Sequence, residues 1–145
     1  MRTFPVIRVV TKILIPYILL FAFYVQFHGD FGPGGGFQAG VIFASALILY
    51  GLVFGLESVK RVAPPMVIEK LMALGVVVYG MTGVLTLALG GNFLDYAVLE
   101  HHFYPHIFPT GQHLGIFLVE LGVGITVTSV MTMIFYSFAG RKRIV

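Results

Sequence analysis

Four long apolar stretches divide the chain, and each is long enough to cross a bilayer as a helix. The pattern predicts helices at 9–27, 37–55, 66–90 and 114–138. A span needs about 20 residues, because a helix rises about 1.5 Å per residue through roughly 30 Å of hydrocarbon. The second stretch contains no charge, and the fourth contains only Glu120. The pattern therefore predicts an all-α, polytopic membrane protein with four transmembrane helices.

The segments between these stretches are short, apart from one. Residues 28–36 form a tight glycine-rich turn, 56–65 form a short charged link, and 91–113 form a longer loop. No change of composition marks a second domain. We therefore expect a single membrane domain over residues 1–145.

The composition agrees with a membrane protein. Hydrophobic residues make up 58% of the chain, charged residues 10%, and the mean hydropathy is +0.96. Such a chain carries too little polar surface to coat a soluble globule. The absence of cysteine excludes disulfide scaffolds, cysteine-ligated zinc and thiol catalysis. A nucleic-acid binder would need its basic residues on one exposed face, whereas these residues lie between apolar stretches.

The basic residues predict the orientation of the chain. With four spans, all of them fall on the same side of the membrane, which is the cytoplasmic side by the positive-inside rule. Both termini are therefore expected in the cytoplasm, and the glycine-rich turn and the long loop on the outside. The residues concerned are Arg2, Arg8, Lys12, Lys60, Arg61, Lys70, Arg141, Lys142 and Arg143.

The string at residues 28–40 is the most unusual feature, with six glycines and one proline between two spans. It is not a nucleotide-binding P-loop, because no Gly-Lys-Ser/Thr follows it. Three interpretations stay open: close packing with turn geometry, an ion route lined by backbone groups, and flexibility alone. Gly36, Gly40 and Ala44 continue it as a stripe of small residues, which predicts a partner helix in this chain or in another subunit.

Three ionisable residues are candidates for an ion or proton pathway. Glu120 lies inside the fourth span, where carboxylates are rare and usually partnered, so either a proton or cation site or a structural hydrogen bond explains it. Glu69 and Lys70 lie near the cytoplasmic rim, where solvation and the helix dipole are the alternative explanation. The centres of the spans carry no further acidic, basic or histidine side chain. We therefore expect that the chain has no complete proton route of its own.

The long loop contains a histidine cluster that allows three interpretations. It is a docking loop, a pH-sensing group or a metal site. Pro105 interrupts the only pair with helical ligand spacing, so we expect no metal site, no catalytic residue and no cofactor. The cluster consists of Glu100, His101, His102, His106 and His113.

Residues 31–40 closely resemble the Pro-Gly-Gly-Gly-Phe signature of the MnhB family, which comprises small membrane subunits of Mrp-type antiporters. The resemblance extends to the four-span layout, to the start of the last span at residues 111–117, and to Glu120 within it. It implies an accessory component of a multisubunit Na+/H+ antiporter in a prokaryotic inner membrane. Sodium and protons would be the transported ions, and partner subunits would carry the main proton channels. The motif residues carried over for subunit packing are Pro33, Gly34, Gly35, Gly36, Phe37 and Gly40.

Three other functions remain open. The first is a small homo-oligomeric membrane transporter, which the stripe of small residues would allow. The second is the equivalent subunit of a membrane-bound hydrogenase related to respiratory complex I. The third is an enzyme that uses the loop histidines, although we expect no enzymatic activity.

Overall fold

The computed structural model describes residues 5–29, 32–102 and 111–141. Within these ranges, six helices follow one another: α1 (Pro5–His28), α2 (Gly36–Phe54), α3 (Leu56–Val62), α4 (Pro65–Ala88), α5 (Ala97–His102) and α6 (Gly111–Ala139). Four of them, α1, α2, α4 and α6, are long and apolar enough to cross a membrane. The predicted all-α fold with four transmembrane helices is confirmed.

The helix ends differ from the predicted bounds in places that local chemistry explains. α1 is described from Pro5 onward, four residues before the predicted start. The charged link contains the short helix α3, which starts after Gly55 breaks α2 with a φ of +98°. Glu57 in its first turn and Lys60 and Arg61 in its last turn complement the helix dipole. The long loop likewise contains α5.

α6 is the central helix of the bundle. It packs against α4 on one side and α2 on the other, while α1 packs mainly on α2. The two short helices attach to this row, α3 against α2 and α5 against α6. The last helix of the sequence therefore holds the membrane domain together.

Glycines allow α6 to approach both neighbours closely. On the α4 side, a Cβ atom on Gly75 would lie 2.6 Å from the carbonyl oxygen of Gly122. On the α2 side, a Cβ on Gly40 would lie 2.8 Å from the carbonyl oxygen of Gly124, and one on Gly36 would overlap the carbonyl oxygen of Glu120. The stripe of small residues on α2 therefore has its partner helix within this chain.

The two ends of the bundle differ in chemistry. The described lysine and arginine residues lie toward one end, which we call the basic end: Arg8, Lys12, Lys60, Arg61, Lys70 and Arg141. Arg8 and Lys12 of α1 lie over the ring of Phe54 at the end of α2, at 5.3 and 5.9 Å from its centroid. We call the other end, with the link from α1 to α2, the glycine end. That the basic end is cytoplasmic remains a prediction.

A small cluster closes the basic end. Val59, Ala63, Ile68 and Tyr136 are all buried there. The Tyr136 hydroxyl donates a hydrogen bond of 2.8 Å to the carbonyl oxygen of Ala63, in the turn between α3 and α4. This contact fixes the turn between α3 and α4 to the last part of α6.

Large apolar side chains cover the outside of the bundle, and small ones fill the inside. Leu20 is 64% exposed and Phe138 is 73% exposed, whereas Ala22, Ala39 and Ala44 are fully buried. This distribution is stable only where hydrocarbon or another protein surrounds the helices.

The orientation can be tested by labelling, since the chain has no native cysteine. Pro33→Cys at the glycine end and Glu57→Cys at the basic end both alter exposed positions. An impermeant thiol reagent added to intact cells is expected to label the Pro33 variant. The Glu57 variant is expected to be labelled only after the membrane is permeabilised. Labelling of the Glu57 variant in intact cells would contradict the orientation.

The close approach at Gly36 can be tested against a matched glycine. Gly36→Ala is expected to destabilise the protein by about 1–3 kcal/mol, a typical cost of overpacking, because the methyl group meets the main chain of α6. Gly80→Ala in α4 is the control, since no atom lies within 4 Å of the added Cβ. Thermal unfolding of the purified protein in detergent measures both. Equal midpoints for the two variants would show that the approach at Gly36 is not a packing constraint.

Candidate functional site

The link between α1 and α2 folds back on the last turns of α1. The amide of Gly32 donates to the carbonyl oxygen of His28 at 3.1 Å, and the amide of Gly35 donates to that of Val25 at 3.3 Å. Gly35 has a φ of +122°, which residues with a Cβ rarely adopt. The bend therefore depends on a glycine at position 35.

The side chain of Glu120 lies against this bend. A Cβ atom on Gly29 would lie 2.7 Å from Glu120 Oε2, and one on Gly35 would lie 3.3 Å from Glu120 Oε1. The main chain of Glu120 also abuts Gly36, the first residue of α2. The structure thus joins the glycine motif and Glu120, two candidates that are far apart in the sequence.

Glu120 lies beside the N-terminus of α2. The first amides of a helix have no acceptor within the helix, and the helix dipole places partial positive charge at this end. Gly35 directly precedes α2, so Glu120 Oε1 lies beside the positive end of that helix. The side-chain oxygen of Gln38 lies near the same place, since a Cβ atom built on Gly35 would be 3.6 Å from Gln38 Oε1. A carboxylate and an amide oxygen in this arrangement suit a proton or a hard cation.

The other motif residues divide into two groups. Two of them pack inward. Gly34 lies against the carbonyl oxygen of Val25, and Gly40 lies against α6. Pro33 is exposed, and Phe37 is 61% exposed. That these two residues pack against another subunit stays a prediction.

Glu69 and Lys70 do not belong to the same site as Glu120. Both are exposed and lie in α4 just beyond its first turn, at the basic end. Glu120 lies at the glycine end, about 14 Å along α6 from Gly111 at about 1.5 Å per residue. The three predicted pathway residues therefore mark opposite ends of the bundle.

Part of the histidine cluster falls outside the described residues, namely His106 and the side chains of residues 100–102. Among the described side chains, no group of three or more His, Asp or Glu residues is placed to hold a metal ion. Tyr96, earlier in the same loop, covers Gly115 of α6. Burial, with a smaller contribution from Tyr79, raises the pKa of Tyr96 above its ordinary value, so its hydroxyl is neutral at physiological pH.

Gln26 is a feature that the hydropathy pattern did not single out. It lies in α1, two residues before its end, and only 5% of its surface is exposed. Its Oε1 would lie 2.6 Å from a Cβ on Gly124, and its Nε2 is buried without a hydrogen-bond partner. The only sequence signal is an amide within an otherwise apolar stretch.

Below Glu120, α6 carries hydroxyl groups. Thr128, Ser129 and Thr132 each donate a hydrogen bond of 2.7–2.8 Å to the carbonyl oxygen four residues earlier. Thr128 also lies 3.1 Å from the carbonyl oxygen of Gly40 in α2. These groups are polar, but none of them titrates near neutral pH.

Known proteins are similar to this chain over nearly its whole length. A family model described as a domain related to the MnhB subunit of Na+/H+ antiporter matches residues 6–133. A protein of Staphylococcus haemolyticus named as an antiporter subunit, mnhB2, is 37% identical over 139 residues, which cover 94% of this chain and 95% of the relative. Its counterpart in Staphylococcus aureus strain MRSA252 is 36% identical with the same coverage.

The matched range of residues 6–133 spans the glycine motif, Glu120, all of α2 and α4, and most of α1 and α6. These matches place the chain among transporter subunits rather than enzymes. With four helices able to span a bilayer, it is a multi-pass protein of the cell membrane. The chain belongs to the MnhB family and is an accessory subunit of a Na+/H+ antiporter complex.

Proposed function

We propose that this subunit supplies Glu120 as a group that binds a transported proton or sodium ion at the glycine end of the complex. The observation that carries the proposal is the position of the carboxylate against the backbone of Gly29 and Gly35. A carboxylate inside a span is costly unless it is partnered. The positive end of α2 offsets part of that cost.

Glu120 is favoured over other residues by its position. Among the described residues of the four long helices, the only other carboxylate is Glu69, which is exposed near the start of α4. Glu120 is only partly exposed and lies well inside α6. A group in this position can exchange an ion with the surface and with a neighbouring subunit.

The remainder of the ion route belongs to partner subunits in this proposal. From Glu120 to the basic end, the described part of α6 offers hydroxyls that already donate to helix carbonyls. An ion that crosses hydrocarbon without ionisable groups meets a penalty of several kcal/mol. The route therefore continues where another subunit provides such groups.

We also assign a role in the ion route to Glu69 and Lys70. Both side chains are exposed at the basic end, where they are accessible to another subunit. A carboxylate and an ammonium group at the boundary between two subunits can steer ions toward the membrane.

The role of Glu120 can be tested in the assembled complex. Glu120→Gln preserves the shape of the side chain and removes its titration. The variant is expected to assemble, to lose the wild-type pH dependence of antiport, and to bind sodium about tenfold more weakly, a change of ~1.4 kcal/mol. Antiport is measured in everted membrane vesicles across a range of pH and sodium concentration.

Glu57→Gln is the matched control, because Glu57 is an exposed carboxylate at the basic end. It is expected to leave both profiles unchanged. If Glu120→Gln gives the wild-type pH profile and sodium dependence, Glu120 has a structural role only.

The dependence on partners can be tested with the chain alone. The purified subunit in liposomes is expected not to dissipate a proton gradient when sodium is added, because its described helices contain no acidic, basic or histidine side chain at mid-depth. A pH-sensitive dye reports the gradient. Dissipation well above that of empty liposomes would identify an autonomous transporter and would refute the proposed division of the route.

A further inference from the structure

An apolar groove on the bundle is lined by residues of α1, α2, α4 and α6 and by the end of α3. Its volume is about 390 Å³. Toward the glycine end it is lined by Gln26, two residues before the end of α1. Toward the basic end it is lined by Val62 and Val67, on either side of the turn between α3 and α4. On α6 the lining residues run only from Leu121 to Ser129, about 12 Å at about 1.5 Å per residue, so the groove covers the stretch between the level of Gln26 and the turn between α3 and α4.

The walls of the groove are almost entirely apolar, with Phe23, Phe43, Leu47, Leu71 and Ile125 among the lining side chains. The polar side chains that line it are Gln26, Thr128 and Ser129. The two hydroxyls donate to carbonyl oxygens of α6, so they are satisfied within the chain.

Gln26 differs from these hydroxyls because its Nε2 has no acceptor. A buried N–H group without a partner is costly, and the bilayer supplies no water to satisfy it. Gln26 is itself one of the residues that line the groove. An occupant with a hydrogen-bond acceptor at this level would satisfy the amide.

We propose that the groove seats a transmembrane helix of another antiporter subunit, which is apolar along its length and carries an acceptor at the level of Gln26. A protein segment at this depth must be helical, because its backbone groups need internal hydrogen bonds. A lipid acyl chain offers no acceptor to Gln26, whereas a helix can carry one on a side chain at that level. The proposal depends on membership of a complex and is independent of the role of Glu120.

The first test identifies the neighbour of the groove in the assembled complex. A photoreactive benzoylphenylalanine replaces Leu71, which lines the groove, or Val77, which is 55% exposed on α4 outside it. On illumination, the probe at position 71 is expected to join one other subunit of the complex in a single product, with several times the yield of the probe at 77. A product with lipid only, or with a second copy of this chain, would overturn the proposal.

The second test examines the acceptor. Gln26→Leu removes the amide and suits the apolar wall, and Gln112→Leu is the control at an exposed position of α6. The ratio of captured partner subunits to this subunit is expected to fall about three- to tenfold for Gln26→Leu, the range of one hydrogen bond between membrane helices. The control is expected to keep the wild-type ratio. An unchanged ratio for Gln26→Leu would overturn the assigned acceptor, even if less of the variant accumulates.

Discussion

The structure depends on the direct contact of α6 with the main chains of both neighbouring helices. Lipid tails are as apolar as leucine, so burial of apolar surface drives helices together only weakly, and close packing has to supply the attraction. At Gly36 and Gly75 the neighbouring backbones approach so closely that a single methyl group would not fit. The arrangement of the four spans follows from these two contacts on opposite sides of one helix.

The same contacts explain how a carboxylate is accommodated inside a span. A side chain at position 29, 35 or 36 would separate Glu120 from the start of α2. Without one, the partial charges of the main chain act on the carboxylate at short range. In this protein the glycines therefore have an electrostatic effect in addition to their effect on packing.

The sequence predicts the spans well, because each apolar stretch needs only enough length to cross hydrocarbon. It does not predict which helix faces the small residues of α2, since periodicity defines a face and not its partner. The contact between Glu120 and Gly35 depends on the same tertiary arrangement and was likewise not predictable. Gln26 interrupts the apolar stretch of α1, but the sequence assigns it no role, because one amide hardly changes the hydropathy and its missing acceptor is visible only in three dimensions.

The hydrogen bond from Tyr136 to Ala63 connects α6 to the turn between α3 and α4, at the end of the bundle opposite to Glu120. Sixteen positions, or about 24 Å of continuous helix without proline, separate the two residues. A helix of this kind shifts or rotates as one body. A displacement of α6 caused by a change in the charge of Glu120 would therefore also displace α3, with Lys60 and Arg61, on the opposite face of the membrane.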